Sequence, residues 1–228
     1  MKFDFKTTVV ILGLLLPGIK NDAFASIDFS NQASLTFALD GAYAGLQANG
    51  SFNQEIILPG DDNGGTVTAT NQDLSSLDLD QAYQFAVTGS VADGSISANH
   101  VGHYTFNFTN NSTNTYSILL SIPYVLSATT NGIDSSLSLV FSDDVDIFDE
   151  IYFSASVFGN SNVENIGTLS RSFTLSANQQ KNFYVDLTST ADIYAAPVPL
   201  PAAVWSFLAG LFGILGIKKR KQESAKHA

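Results

Sequence analysis

Strict two-residue alternation constrains this chain more than any other feature. In Tyr104-Thr105-Phe106-Asn107-Phe108-Thr109 the aromatic rings occupy every second position and polar side chains the positions between. After Asn110-Asn111-Ser112-Thr113-Asn114, a second run places Tyr116, Ile118, Leu120, Ile122, Tyr124 and Leu126 on one face, with Ser117 and Ser121 opposite. A side-chain period of two is that of a strand buried on one face. Two such runs around a polar pentapeptide read as a β-hairpin. Pro123 has no N–H to give to a ladder, which predicts that its strand lies at an edge or bends there.

The pattern recurs. Leu35, Phe37 and Leu39 alternate, as do Tyr83, Phe85 and Val87; Leu137, Leu139 and Phe141; Phe173 and Leu175; and Phe183, Val185 and Leu187. The run 151–158 is apolar on both faces and reads as a central strand. Turn-forming clusters punctuate the runs at 59–65, 92–94, 130–132 and 176–180, the last reading as a late hairpin. Short strands at this spacing, with no helical period of useful length, predict an all-β fold. The expected form is a single β-sandwich of roughly eight to eleven strands, immunoglobulin-like or jelly-roll-like. Two tandem sandwiches with a break near 71–80 are the alternative. The chain has no cysteine, so neither disulfides nor thiolate chemistry enter.

Charge divides the chain into three. Between Ser26 and Ala196 the basic residues are Arg171 and Lys181, against 18 acidic ones, a balance near −16 where the whole chain carries −11. Such a domain repels nucleic acid and anionic lipid and stays soluble outside a cell. The positive charge gathers at the two ends. Residues 1–25 carry Lys2 and Lys6, an apolar core from Thr7 to Leu16, a Pro17-Gly18 break and the small-x-small pattern Ala23-Phe24-Ala25. This reads as a secretory signal peptide, with the mature chain beginning at Ser26 and an uncleaved anchor as the alternative.

The C-terminal segment 197–221 has three parts. Val198-Pro199-Leu200-Pro201-Ala202-Ala203-Val204-Trp205 opens it, an uncharged run continues to Ile217, and Lys218-Lys219-Arg220-Lys221 follows at once. The apolar stretch from Val198 is about twenty residues, or roughly 30 Å as a helix, enough to cross a hydrocarbon core. The expectation is one C-terminal transmembrane helix with its prolines at the entrance and Trp205 near an interface. The basic block stays on the cytoplasmic side, so residues 222–228 form a cytoplasmic tail and the β domain lies outside.

These three parts, in this order, resemble the VPLPA variant of the PEP-CTERM sorting signal. The resemblance covers about a tenth of the chain. It implies a Gram-negative exported protein recognised by an exosortase, a membrane-embedded transpeptidase-like protease, and an association with exopolysaccharide or biofilm matrix. Leu200 stands where the parent motif has an acidic residue, so the cleavage point does not carry over.

Within the β domain, Asp143, Asp144, Asp146, Asp149 and Glu150 form the densest acidic run. Hard cations such as calcium take six to eight oxygens, which makes this run a candidate calcium site and an exposed acidic loop the alternative. Asp61-Asp62-Asn63 is a weaker candidate. His100 and His103, three residues apart, point to opposite faces if they lie on a strand, and could share a metal only if Val101-Gly102 formed a turn. There is no Gly-x-Ser-x-Gly elbow, no His-Glu-x-x-His and no phosphate loop. Sugar-stacking platforms in the domain fall to Tyr43, Tyr116, Tyr152 and Tyr194.

The expectation is a non-enzymatic cell-surface or matrix protein for adhesion or structure, without a cofactor unless calcium binds. It would be anchored in the inner membrane and then processed by an exosortase-like protease. A polysaccharide-binding module, with or without calcium assistance, and a permanently membrane-anchored surface protein are the alternatives.

Overall fold

The computed structural model describes residues 26–195, apart from 62, 63, 71 and 157. The expected signal peptide, including Ala23 and Ala25, lies outside these residues, as does the C-terminal segment from Val198 through Trp205 to Lys221. Among the described residues no helix is long and apolar enough to cross a membrane.

Among the described residues twelve strands form two antiparallel sheets, the sandwich-like all-β arrangement the alternation predicts. Sheet 1 runs in the order β11 (Asn162–Leu175), β8 (Tyr116–Thr130), β1 (Ile27–Thr36), β6 (Ala82–Val91), β4 (Gly65–Ala69), with β2 (Ala38–Leu39) also on β8. Sheet 2 runs β10 (Ile147–Ala155), β9 (Asp134–Asp143), β12 (Gln180–Tyr194), β7 (Ser95–Asn110), β3 (Leu46–Leu58), β5 (Leu74–Leu77). Residues 25–196 make one compact unit, which leaves no break near 71–80: β5 there pairs with β3.

The expected hairpins are not hairpins. β7 belongs to sheet 2 and β8 to sheet 1, so the pentapeptide between them is an arch that crosses the sandwich. Asn110 explains the crossing. It is fully buried, and its Nδ2 donates to the carbonyls of Asn114, Leu175 and Ser176 at 2.7, 3.0 and 3.1 Å. Its Oδ1 accepts from the Ser112 N–H and hydroxyl at 3.0 and 2.7 Å. One side chain thus satisfies the backbone of two arches, 110–114 and 176–179, and holds the strands apart instead of letting them pair. The late turn at 176–180 also crosses, from β11 to β12, as do 59–65, 92–94 and 130–132. The connection from β9 to β10 is a true hairpin, and the acidic run forms its turn.

Two further expectations, a central β10 and an edge position for Pro123, fail for local reasons. β10 is the outer strand of sheet 2, not a central one. Its Ile151 and Phe153 pack on the core, but Tyr152 is 65% exposed, and Phe158 has already left the strand for the loop. Pro123 lies in β8, which has neighbours on both sides. Leu35 faces Tyr124 and Ala38 faces Ser121, so one register spans the gap between β1 and β2. Leu119 both donates to Asp40 Oδ1 and accepts from the Asp40 N–H, so it faces this neighbour, and Pro123, four residues on, faces it too. The missing N–H falls at the interruption. The proline breaks the partner's ladder rather than marking an edge.

Between the sheets lies a continuous aromatic core. Phe37 meets Phe106 at 4.2 Å between ring centroids, Phe52 meets Tyr104 at 4.5 Å, and Phe173 meets Phe183 at 4.9 Å. Room for these rings requires small neighbours. A Cβ on Gly102 would lie 2.7 Å from the Phe85 ring and 2.9 Å from that of Phe52. A buried polar link crosses the same core. Asn31 of β1 donates to the Ser136 carbonyl and Ser189 Oγ at 2.9 and 2.8 Å and accepts from Ser135 Oγ at 2.6 Å. This bonds sheet 1 to β9 and β12 of sheet 2 and fixes how the two sheets align.

Candidate binding face

With the odd-numbered residues of β7 outside and the even ones inside, register alone arranges the outer face of sheet 2. Asn49, Asn107 and Asn182 lie side by side on β3, β7 and β12. Asn107 Nδ2 donates to Asn182 Oδ1 at 2.7 Å, and Asn182 Nδ2 donates to Asp144 Oδ2 at 3.3 Å. Thr109 Oγ1 donates to Asn107 Oδ1 at 3.0 Å. Tyr184, in the next row, donates its hydroxyl to Asp144 Oδ1 at 2.6 Å, and this bond raises the phenol pKa. One row further lie Asn53, His103, Asp186, Val140 and Glu150. His103 Nδ1 is 2.7 Å from Asp186 Oδ1, and its Nε2 is 3.8 Å from Glu55 Oε2. Tyr152 stands over the row of Ser138 and Thr188.

The result is a lattice of amides, hydroxyls and carboxylates, with the exposed ring of Tyr152 beside it and that of Tyr194 at the end of β12. Each amide offers two donors and an acceptor with two lone pairs, so the internal bonds leave capacity on the solvent side. The chemistry suits a ligand that presents many hydroxyls on a plane.

The acidic run borders this face at the β9–β10 turn. Asp143, whose side chain is 5% exposed, pairs with Lys181 at 2.6 Å and accepts the N–H groups of Val145 and Asp146, each at 2.9 Å. Burial by itself raises the Asp143 pKa, but the bond from Lys181 and those from Asp146 and Val145 outweigh it and hold the carboxyl down at about 2. Asp144 is committed to Tyr184 and Asn182. Asp149 accepts the N–H of Glu150 at 2.9 Å, and Asp146, Asp149 and Glu150 are exposed. The structure therefore gives Asp143 and Asp144 to protein partners and does not gather the five carboxylates. Among the described residues no three acidic or histidine side chains are placed to hold a metal ion. Asp61 is exposed, while Asp62 and Asn63 lie outside the described residues.

The two histidines face opposite ways, as their spacing predicts. His100 points inward and is buried, with no hydrogen bond to either ring nitrogen. Burial lowers its pKa, against a smaller opposing effect of the Pro59 carbonyl. Of the four tyrosines, Tyr43 and Tyr116 pack on one another at 5.1 Å and bond Asp40 and the Ala44 carbonyl. Tyr152 and Tyr194 remain exposed. On the outer face of sheet 1, Ser30, Gln32, Ser127, Thr129, Asn162 and Glu164 line a shallow depression of about 440 Å³.

Sequence reasoning missed the partners of His103 and the asparagine row. Asp186 is 83 residues from His103, and Asn182 is 75 from Asn107. Only strand register brings them together, and no local motif encodes it. The polar phase of the alternation was the available signal, because it marks which asparagines face out.

No family model matches the chain, and no curated protein does. Among solved structures, the secreted serine protease VesC from Vibrio cholerae aligns over 80% of this chain and 52% of its own, at 7% identity and a TM-score of 0.22. A β-glucuronidase of Bacteroides uniformis aligns over 69% of this chain and 21% of its own, at 8% identity and a TM-score of 0.14. The chain spans about half the length of the first of these, and neither likeness reaches a shared fold.

Proposed function

We propose that the chain is an exported, non-catalytic surface protein, held in the inner membrane by its C-terminal span and then released to the cell surface or matrix by an exosortase-like protease. One observation carries this reading. The motif Val198–Trp205, the apolar run and the basic block Lys218–Lys221 follow directly on the last strand, β12. The β unit serves adhesion or matrix structure, in contact with exopolysaccharide and not nucleic acid. From β2 to β9 its strands alternate between the sheets, which supports the jelly-roll-like form over the immunoglobulin-like one. Intact mass of the protein recovered from cells tests the sorting. The mature chain is expected to begin at Ser26 and to lack Lys218–Ala228. A mature chain that keeps these residues makes it a permanently anchored protein instead.

A second reading is supported by the asparagine row and Tyr152: the outer face of sheet 2 binds a neutral polysaccharide. Calcium assistance would fall to the exposed carboxylates Asp146, Asp149 and Glu150. Glycan-array binding with calcium and with chelator tests both points. Asn107→Ala and Tyr152→Ala are expected to weaken binding, and no glycan retained by the unmodified protein ends this reading.

A further inference from the structure

Large exposed side chains are common singly and need no explanation; a group of them at one place does. Three stand at one end of the sandwich: Phe158 in the β10–β11 loop, Ile133 before β9 and Tyr194 at the end of β12, at 87, 43 and 47% exposure. Register sets them at one level. Tyr194 faces Ser95, the first residue of β7. Ile133 adjoins Asp134, which faces Asp192, and Phe158 lies three residues past Ala155, which faces Ser135. Ile56, Ile57 and Leu58 lie further down the flank, with Leu58 opposite Asn99.

This is also the end from which the chain leaves toward residue 198. Ala195 donates its N–H to the Gly94 carbonyl at 2.9 Å, so the chain is pinned up to that point. The apolar stretch opens at Val198, four residues past Tyr194. At about 3.6 Å per residue the chain between them reaches no more than about 14 Å. A bilayer holding that run lies within this distance of Tyr194, an aromatic suited to a membrane interface.

We propose that this end, through Phe158, Ile133 and Tyr194, rests on a bilayer surface of zwitterionic, ammonium-bearing lipid while the chain is unprocessed. The proposal rests on the anchored reading above. Charge selects the occupant. Asp28, Asp93, Asp134 and Asp192 lie at the same end of the sandwich, so a second copy docked end to end would oppose carboxylate to carboxylate, and anionic lipid is repelled. Ammonium headgroups pair with the carboxylates while the three side chains enter the headgroup layer.

The absence of cysteine makes the test direct. Single Phe158→Cys, Ile133→Cys and Val145→Cys variants of the full chain are labelled with a polarity-sensitive dye and reconstituted in phosphatidylethanolamine–phosphatidylcholine vesicles carrying nitroxide lipid. Val145, 84% exposed, is the control. It adjoins the Asp143–Phe183 pairing, eleven residues along β12 from Tyr194, or about 37 Å. Dyes at 158 and 133 are expected to be quenched several-fold more than the dye at 145, with dye emission shifted to the blue. Equal quenching at all three, in protein that resists alkaline extraction, overturns the docked end and leaves the anchor standing. Protein extracted by alkali overturns the anchored reading and the proposal together. An unchanged thermal midpoint for each variant shows that the fold is intact.

Discussion

Asn31 shows how much a single polar side chain decides in this core. Its amide makes bonds to two strands of the opposite sheet, and no water reaches it. Asn31→Ala removes these bonds, leaves Ser135 and Ser189 without that partner, and opens a small void. The expected loss is about 2–4 kcal/mol, a fall of roughly 5–15 °C in the thermal midpoint for a unit of this size. Circular dichroism melts check this, and a midpoint within 1–2 °C of the unmodified protein (about 0.5 kcal/mol) would show that the link carries no net stability. Lys181 gives a prediction with a sign in pH. The Asp143 carboxyl is depressed from 3.8 to about 2 in the folded protein, so its contribution is present above pH 3.8 and is lost as the pH falls through about 2. Lys181→Met strips the carboxylate of its cation. The stability difference between the two proteins is expected to be full at pH 7 and to close between pH 3.8 and 2. Urea titrations across that range measure it, and a difference independent of pH assigns the effect to packing of Lys181 over the Phe183 ring instead.

At the scale of elements, the sequence is legible in one dimension and silent in the other. Alternation correctly marks Phe106, Phe108, Ile118 and Leu120 as core, because the period of two is a property of each strand alone. It does not say to which sheet a strand goes. A polar pentapeptide serves a hairpin or an arch equally well, and the buried Asn110 that chooses the arch bonds to Leu175, 65 residues away. The edge strand β10 was misread for a related reason. Its inner residues Ile151 and Phe153 look like those of a central strand, and the outer neighbour it lacks leaves no local trace. The acidic run was legible as a turn, but not its commitments to Lys181 and Tyr184, which β12 supplies. β10 also carries the means to keep its edge free. Ile147 and Tyr152 are exposed on an unpaired edge, an invitation to another strand, and Asp149 and Glu150 stand between them. Asp149→Asn with Glu150→Gln is expected to leave the thermal midpoint nearly unchanged and to promote concentration-dependent association at neutral pH. Sedimentation velocity over a concentration series checks this; a monomer at all concentrations means that β10 does not need its charges.

The β unit is closed by β12, the last of the described strands. β12 lies between β9 and β7 in the middle of sheet 2, and β8 and β1 in sheet 1 likewise pair with distant partners. Asn31 waits for Ser189, 158 residues later, to complete its bonds. Contacts this distant must close long loops before they return any stability, so slow folding is expected of this unit. Without β12, sheet 2 splits into β10–β9 and β7–β3–β5, and Phe183, Val185 and Leu187 leave the core. On the proposed route, a chain exported from its N-terminus would complete its fold only when residue 194 had emerged, with the segment from Val198 next behind it. The unit would then mature against the membrane proposed to hold its tail. Two fragments test the dependence. Residues 25–196 are expected to unfold cooperatively at the midpoint of the full chain, whereas residues 25–176, which end before β12, are expected to bind a hydrophobic dye and to show no near-ultraviolet dichroism. Cooperative melting of the shorter fragment would show that sheet 1 and the rest of sheet 2 suffice, and the order of events at the membrane would then be free of β12.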